Sequence, residues 1–167
     1  RTRMPPRADT RKLAQFALPT GYKLVGYPGQ PWKREAPDLK WFNSSRHPDT
    51  AGYVTPGKHE IHVARDLDGR ELVRTVLHEA RHIAQEDPAA KGMEGDADTF
   101  AERWAGAVKA AHRATGGDPL RVYARDGRPP WYPDGLDAGD VVLSRSTATA
   151  YQYNPRNRSS AWGALAT

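Results

Sequence analysis

The sequence contains no cysteine, and this absence limits both its redox chemistry and its metal chemistry. Without thiols the chain forms no disulfide, and a transition metal must be held by histidine or carboxylate side chains. No apolar run approaches the roughly 18 residues that a membrane-spanning helix needs, and no apolar segment follows the basic residues at the start. We therefore expect no membrane partner, and we favour the cytoplasm, or secretion if an upstream signal has been removed.

The composition suits one polar, globular domain. The chain has 167 residues, 38% of them hydrophobic, with a net charge of +5 and a mean hydropathy of −0.79. The positive charge is spread along the chain without a recognition motif for DNA or RNA, so we expect no nucleic-acid partner. We predict a single domain over residues 1–167, monomeric, with a core at about 20–117 and an irregular extension at 118–167.

Local patterns predict a mixture of helices and short strands. Two extended runs around a Pro-Gly turn predict a hairpin of Gly52–Val54 and His59–Ala64. Asp68 with Glu71 three residues later predicts the start of a helix that runs to about Glu86. The remaining predicted elements are a helix at Ala8–Phe16, strands at Tyr22–Gly26, Leu39–Phe42 and Asp140–Leu143, an irregular connection at 27–50, and a helix from about Glu94 to Ala114.

The first of the two central helices carries the motif H-E-x-x-H at His78-Glu79-Ala80-Arg81-His82. Residues four apart lie on one face of a helix, so His78 and His82 can direct two imidazoles at one metal ion. Glu79 follows the first histidine directly and can act as general base toward a water at that metal. The pattern is typical of zinc-dependent peptide hydrolysis, with one Zn²⁺ per chain.

Helical periodicity separates these histidines from the core. The apolar residues of the same helix form one stripe: Leu72, Val73, Val76, Leu77, Ala80, Ile83 and Ala84. His78 and His82 fall roughly opposite its centre. We therefore expect the helix to pack its apolar face on the fold and to present its histidines to a cleft.

A third ligand is needed from outside this motif, and the next helix offers carboxylates. Glu94, Asp98 and Glu102 recur at four-residue spacing and share one face. Glu94 is the leading candidate because it lies at the helix start, where the helix dipole favours an anion. Glu102 is the alternative ligand. Asp98 is placed to accept the N–H of a ligand histidine and fix its tautomer.

The two motifs together resemble the gluzincin metallopeptidases, most closely the small ImmA/IrrE-type and minigluzincin groups. The resemblance covers about residues 52–115 and rests on H-E-x-x-H followed by E-x-x-A-D-x-F-A from Glu94. It implies a minimal zincin-like α+β domain, in which a small, mostly antiparallel sheet precedes an active-site helix and a second, ligand-bearing helix. By position it makes His78, His82 and Glu94 the metal ligands, Glu79 the catalytic base and Asp98 the partner of His78.

The resemblance also implies where a protein or peptide substrate would bind. An edge strand borders the cleft in such folds, so we expect an extended peptide to pair with the second strand of the hairpin. The expected substrate-binding residues are His59, Glu60, Ile61, His62 and Val63. An oxyanion-stabilising residue is also expected, and its candidates are His112, Tyr123, Tyr132, Tyr151 and Tyr153.

Two other functional classes remain open from the sequence. The domain could be a non-catalytic, zincin-like module that binds a metal or a partner without turnover. It could also be a latent protease, in which residues 120–167 cover the cleft until they are released.

Overall fold

The computed structural model describes residues 6–26 and 35–167, and within these residues the chain forms three α-helices and two small β-sheets. It is therefore an α+β protein, as predicted. The helices are α1 (Ala8–Tyr22), α2 (Gly69–Ala84) and α3 (Met93–Thr115). The strands are β1 (Asp38–Phe42), β2 (Gly52–Val54), β3 (Glu60–Ala64), β4 (Val122–Arg125), β5 (Val141–Ser144), β6 (Thr149–Tyr153) and β7 (Trp162–Ala164). Residues 27–34 of the predicted irregular connection lie outside the described part.

The first sheet has the strand order β1-β3-β2. The predicted hairpin is confirmed, since β2 and β3 pair antiparallel across the Pro-Gly turn. However, β1 pairs parallel with β3, so this sheet is mixed rather than mostly antiparallel. Ile61 and Val63 are fully buried on the face that packs against α2. The sheet therefore supplies one wall of the core and holds β2 at its edge.

Helices α2 and α3 form the centre of the domain. The apolar stripe of α2 packs as predicted, with Leu72, Val76 and Leu77 fully buried. Helix α1 crosses α2 closely at Gly21, where an added Cβ would overlap the side chain of Leu77. Among the described residues, no helix combines the length and the apolar character that crossing a bilayer requires.

The strand predicted at Tyr22–Gly26 is wrong. Tyr22 is the last residue of α1, and a turn follows in which the Leu24 N–H donates to the Gly21 carbonyl. Leu24 and Val25 are fully buried in the core. The apolar run resembles a strand because it must be buried, but it meets that need without pairing to a neighbouring strand.

The prediction of an irregular extension at 118–167 is also wrong. This region forms a second sheet with the strand order β4-β5-β6-β7. Val141, Leu143 and Ala150 of this sheet are fully buried in the same apolar cluster as the helices. The core therefore includes residues after 117. It also includes residues before 20, since Phe16 belongs to it. The strands of the second sheet have only three to five residues each, which is too short to show a clear period of two.

Candidate metal centre

A cavity of about 510 Å³ lies between the β2 region, α2 and the turn that leads into α3. One wall consists of residues 49–54 and Pro56, and the opposite wall includes Pro88 and Ala89. The helices contribute the side chains at its floor and end: Arg74, Thr75, His78, Glu79, His82, Glu94 and Asp98. The motif residues of both helices thus share one cleft.

Three of these side chains bring one ligand atom each to a common point. The Nε2 atoms of His78 and His82 lie 3.1 Å apart. One carboxylate oxygen of Glu94 lies 3.0 Å from His82 Nε2, and the other lies 3.0 Å from His78 Nε2. A tetrahedral ion with bonds of about 2.0–2.1 Å separates neighbouring ligand atoms by about 3.3 Å. The group therefore has the residue types and the spacing to hold a metal ion.

The protonation of His78 follows from its partner. Its Nδ1 lies 2.9 Å from Oδ1 of Asp98, a carboxylate that can only accept when ionised. The proton of the neutral imidazole is therefore on Nδ1, and the Nε2 lone pair faces the other ligand atoms. Burial lowers the pKa of His78, so its neutral form is favoured. This is the arrangement in which a carboxylate orients a metal-binding histidine.

His82 reaches the same state through an amide. Its Nδ1 lies 2.6 Å from Oε1 of Gln85. The Gln85 amide orientation is set by its other partners, because Nε2 donates to the Met93 carbonyl and to the Asp96 carboxylate, each at 2.8 Å. Gln85 therefore offers an oxygen to His82, and the proton of His82 lies on Nδ1. Both imidazoles thus direct lone pairs at the Glu94 carboxylate, an arrangement that a cation stabilises.

Glu79 lies beside this point but belongs to a different environment. Its Oε2 is 4.0 Å from His78 Nε2, and its side chain is only 7% exposed. Burial, reinforced by the negative charges of Glu94 and Asp98, raises its pKa to about 8 in the metal-free protein. A carboxylic acid whose pKa is near neutrality is suited to accept and release a proton in a reaction.

Asp98 also belongs to a chain of charges that runs along the rim of the cleft. Arg74 places Nη2 3.9 Å from the Asp98 oxygen that accepts from His78. Its Nε donates to Glu102 at 2.7 Å, and this bond raises the pKa of Arg74. Glu102, the alternative ligand from the sequence, is thus engaged by Arg74 and does not belong to the group of metal-ligand atoms.

Arg81, inside the motif, points away from the cleft into the protein. Its side chain is 3% exposed and forms a double ion pair with Asp96, with Nε and Nη2 donating at 2.8 and 3.1 Å. Its Nη1 donates to the Val25 carbonyl at 2.6 Å, and the guanidinium lies 5.1 Å from the ring centre of Phe100. The hydrogen bonds from Arg81 lower the pKa of Asp96, which also accepts from Gln85.

The expected docking strand requires a correction. β3, which contains Glu60–Val63, lies between β1 and β2, so both of its edges are occupied. The side chains are also engaged elsewhere: Ile61 and Val63 lie in the core, and His62 stacks on Tyr53 and contacts Glu60. His59, just before the strand, contacts the Glu35 carbonyl. The edge strand that borders the cleft is β2. The sequence did not show this, because the order of strands in a small sheet depends on how the chain returns to the sheet after each strand.

None of the predicted oxyanion candidates lines the cavity. His112 packs against Phe16 near the end of α3, and Tyr132 is 80% exposed at the surface. Tyr151 and Tyr153 lie in β6 of the second sheet, where they contact Trp131 and Trp162. Tyr123 lies in β4, next to a separate cavity. Instead, Tyr53 and Arg74 are the tyrosine and the cation at the wall of the cleft.

Gly52 places the backbone of β2 directly beside Glu79. A Cβ built on it would lie 2.8 Å from Thr75 Cγ2, 2.9 Å from the His62 carbonyl oxygen and 3.0 Å from Glu79 Cγ. The absence of a side chain at this position therefore lets the edge strand and Glu79 approach each other. A larger residue would displace one or the other.

Sequence reasoning missed the partners that lie outside the two motifs. Gln85, Asp96 and Arg74 had no recognisable spacing, although each lies one turn or less from a motif residue. Arg81 was the available signal. It lies among the apolar residues Leu77, Ala80 and Ala84 of the helix, and a buried arginine requires a carboxylate nearby.

The chain matches no protein-family model, no curated protein and no solved structure. The assignment of a function therefore depends on the residues and geometry of the cleft.

Proposed function

We propose that this protein is a zinc-dependent endopeptidase whose active site is the cleft around His78, His82 and Glu94. The observation that carries the proposal is the convergence of His78, His82 and Glu94, whose two carboxylate oxygens each lie 3.0 Å from one histidine Nε2 while the two Nε2 atoms lie 3.1 Å apart, next to a buried glutamate. Metal ligation alone does not require Glu79. Its burial beside the ligand group gives the site a proton acceptor as well.

Zinc fits this donor set. Two neutral imidazoles and one carboxylate are ligands that zinc uses in catalytic sites, where a fourth position remains for water or substrate. A bound zinc ion would act as a Lewis acid toward a carbonyl and would make water a better nucleophile at neutral pH. Asp98 and Gln85 hold the two imidazoles in the tautomer that such binding requires.

Glu79 is the general base of this proposal. It takes a proton from the attacking water and passes it to the leaving amine. A divalent cation held by His78, His82 and Glu94 would offset the negative charge near Glu79 and would favour its ionised form. The base is then ionised at neutral pH and remains shielded from bulk water by its burial.

A peptide substrate would bind in extended form along β2. Ala51 directs its carbonyl to β3, where it accepts from the Ala64 N–H. Because backbone direction alternates along a strand, Gly52 and Val54 direct their backbone groups to the open edge. The Gly52 carbonyl accepts from the Thr50 hydroxyl at 2.7 Å. The Gly52 N–H and the polar groups of Val54 are therefore the ones that a docked strand would engage.

The order of elements agrees with the resemblance to small gluzincins. A sheet with its edge on the cleft precedes the H-E-x-x-H helix, and a second helix brings a glutamate and an aspartate to the same point. Arg74 lies one turn before His78 on the cleft wall and is the candidate to stabilise the oxyanion in place of the tyrosines of the second sheet. Tyr53 is the other candidate at that wall.

The test combines metal analysis with turnover. Purified protein supplied with zinc is expected to hold about one ion per chain, as measured by elemental analysis, and to cleave a library of internally quenched peptides. His82→Ala should lose the metal. Glu79→Gln should keep the metal and lose cleavage, while the matched control Glu86→Gln, at an exposed position near the end of the same helix, should keep both.

Three results would contradict the proposal. No zinc in the wild type would remove the metal centre. Cleavage by Glu79→Gln at the wild-type rate would exclude Glu79 as the general base. Zinc binding without cleavage of any peptide in the library would favour the non-catalytic module. The latent form, with residues 120–167 over the cleft, has no support, because none of these residues lines the cavity.

A further inference from the structure

We infer that Gln85, fixed by Asp96 and Arg81, is a positioning residue that sets the tautomer and orientation of His82 and couples this ligand to the turn that carries Glu94. The inference rests on the metal centre of the proposed function. It concerns a set of residues that lies outside both motifs. Its basis is a continuous series of hydrogen bonds from the His82 ring to the core.

The first step of the series determines which atom of the Gln85 amide faces Nδ1 of His82. A glutamine offers either an oxygen or an NH₂ group to a histidine. Here the NH₂ group has two acceptors of its own, the Met93 carbonyl and Asp96 Oδ2, each at 2.8 Å. Rotating the amide would place its oxygen against those two acceptors. The Gln85 oxygen is therefore locked toward His82 Nδ1, at 2.6 Å.

The second step fixes Asp96. Its carboxylate accepts two bonds from the Arg81 guanidinium, at 2.8 and 3.1 Å. Such a planar double contact restrains both groups more than a single bond would. Arg81 is itself held by the Val25 carbonyl and lies over the ring of Phe100. The far end of the series is thus anchored in the buried interior of the domain.

The third step connects the two helices that supply the ligands. Gln85 directly follows α2 and contacts the carbonyl of Met93, the residue before Glu94. Asp96 lies in the first turn of α3, two residues after Glu94. One buried amide therefore holds the second ligand of the motif and the start of the helix that carries the third ligand. A change at Gln85 should disturb both.

The two histidines are consequently oriented in different ways. His78 donates to Asp98, whose side chain is 50% exposed, whereas His82 donates to a buried neutral amide. A carboxylate partner makes an imidazole a stronger electron donor than an amide partner does. On the Nδ1 side of His82, the carboxylate of Asp96 is separated from the imidazole by Gln85, and its charge is paired with Arg81. His82 is thus held by geometry, with little added negative charge.

The experiment compares Gln85→Leu with wild type and with Gln15→Leu, a matched change at an exposed position in α1. Zinc affinity is measured by competition with a chelator, and the imidazole nitrogen shifts of the metal-free proteins are read by ¹⁵N NMR. Gln85→Leu is expected to weaken zinc binding about 10–100-fold and to move the proton of His82 from Nδ1 toward Nε2. His78 should keep its tautomer in every variant and provides an internal reference.

A charge swap tests the series beyond its first bond. Gln85→Glu keeps an oxygen for His82 but places a second carboxylate against Asp96, where the present contact is 2.8 Å. We expect it to weaken zinc binding as well, because repulsion from Asp96 displaces the new carboxylate from His82 Nδ1. Adding Asp96→Asn restores a donor–acceptor pair at that contact, so the double variant should recover part of the lost affinity. A simple loss of packing would not be recovered in this way.

The inference is overturned if Gln85→Leu binds zinc within twofold of wild type and His82 keeps its Nδ1 proton. It is also overturned if Asp96→Asn adds to the loss caused by Gln85→Glu instead of reducing it. Should Gln85→Leu fail to fold, the charge swap alone decides. Should the wild type bind no zinc, the proposed function fails separately, and the tautomer of His82 in the metal-free protein still decides the inference.

Discussion

The buried carboxyl of Glu79 makes the stability of the metal-free protein depend on pH in a direction that can be tested. Its pKa is about 8 in the folded protein and 4.5 in the unfolded chain, mainly because burial penalises the charged form. Between these two values the native state holds a proton that the unfolded chain releases. The free energy of unfolding therefore falls as the pH rises through this window.

The magnitude follows from the difference between the two pKa values. At about 1.4 kcal/mol per pKa unit, the rise from 4.5 to about 8 corresponds to about 3 kcal/mol of stability lost by pH 7 and about 5 kcal/mol lost by pH 9. Domains of this size are stable by about 5–15 kcal/mol in total. This one group should thus dominate the alkaline side of the stability profile when no metal is bound.

Glu79→Gln removes the titration while preserving size and shape. In the presence of a chelator, urea unfolding at several pH values should give equal stabilities for variant and wild type near pH 4. By pH 7 the variant should be more stable by about 3 kcal/mol. Taking the difference cancels groups common to both proteins, including His78. Curves that stay parallel from pH 4 to pH 9 would refute the burial argument, and Glu86→Gln controls for a change of charge.

Three further predictions concern the partner of His78, the strand beside Glu79 and the second sheet. Asp98→Asn should weaken zinc binding about 10–100-fold, measured by chelator competition, because the carboxylate no longer orients His78; unchanged affinity would exclude that role. Gly52→Ala should lower cleavage activity and destabilise the fold by about 1–3 kcal/mol, since the added methyl group displaces Glu79; normal activity and melting temperature would count against it. Deleting residues 118–167 should unfold the domain, as seen by circular dichroism, because strands of the second sheet belong to the core. A folded and more active fragment would instead support the latent-protease interpretation.

Much of the candidate metal centre could be predicted from sequence because its geometry is local. In a helix, four-residue spacing puts His78 and His82 on one side, and the apolar stripe decides which side faces the core. Glu94 and Asp98 are related by the same spacing on the next helix. The structure groups His78, His82 and Glu94 as residues that could hold a metal ion and places Asp98 against Nδ1 of His78.

The errors concern features that depend on distant parts of the chain. The edge of the first sheet depends on which strand β1 joins, and β1 joins β3 in parallel from a segment far upstream. Strands of three to five residues in the second sheet carry too few positions to show a period of two. The run at Tyr22–Gly26 had the composition of a strand, but it forms the end of α1 and a turn that buries Leu24 and Val25, and the Val25 carbonyl accepts from Arg81 instead of from a neighbouring strand.

The sequence by itself thus determined the candidate site of this protein: the histidine and carboxylate side chains that could hold a metal ion, the glutamate between the histidines and the helix faces that carry them. Those features follow from residue type and from the regular geometry of an α-helix. Only the tertiary structure decided that β2 borders the cleft, that the second sheet completes the core and that Gln85 orients His82. The first two arrangements join residues far apart in the sequence, and the third depends on the contacts of Gln85 with Met93 and Asp96 of the next helix, so packing of the whole chain had to set them.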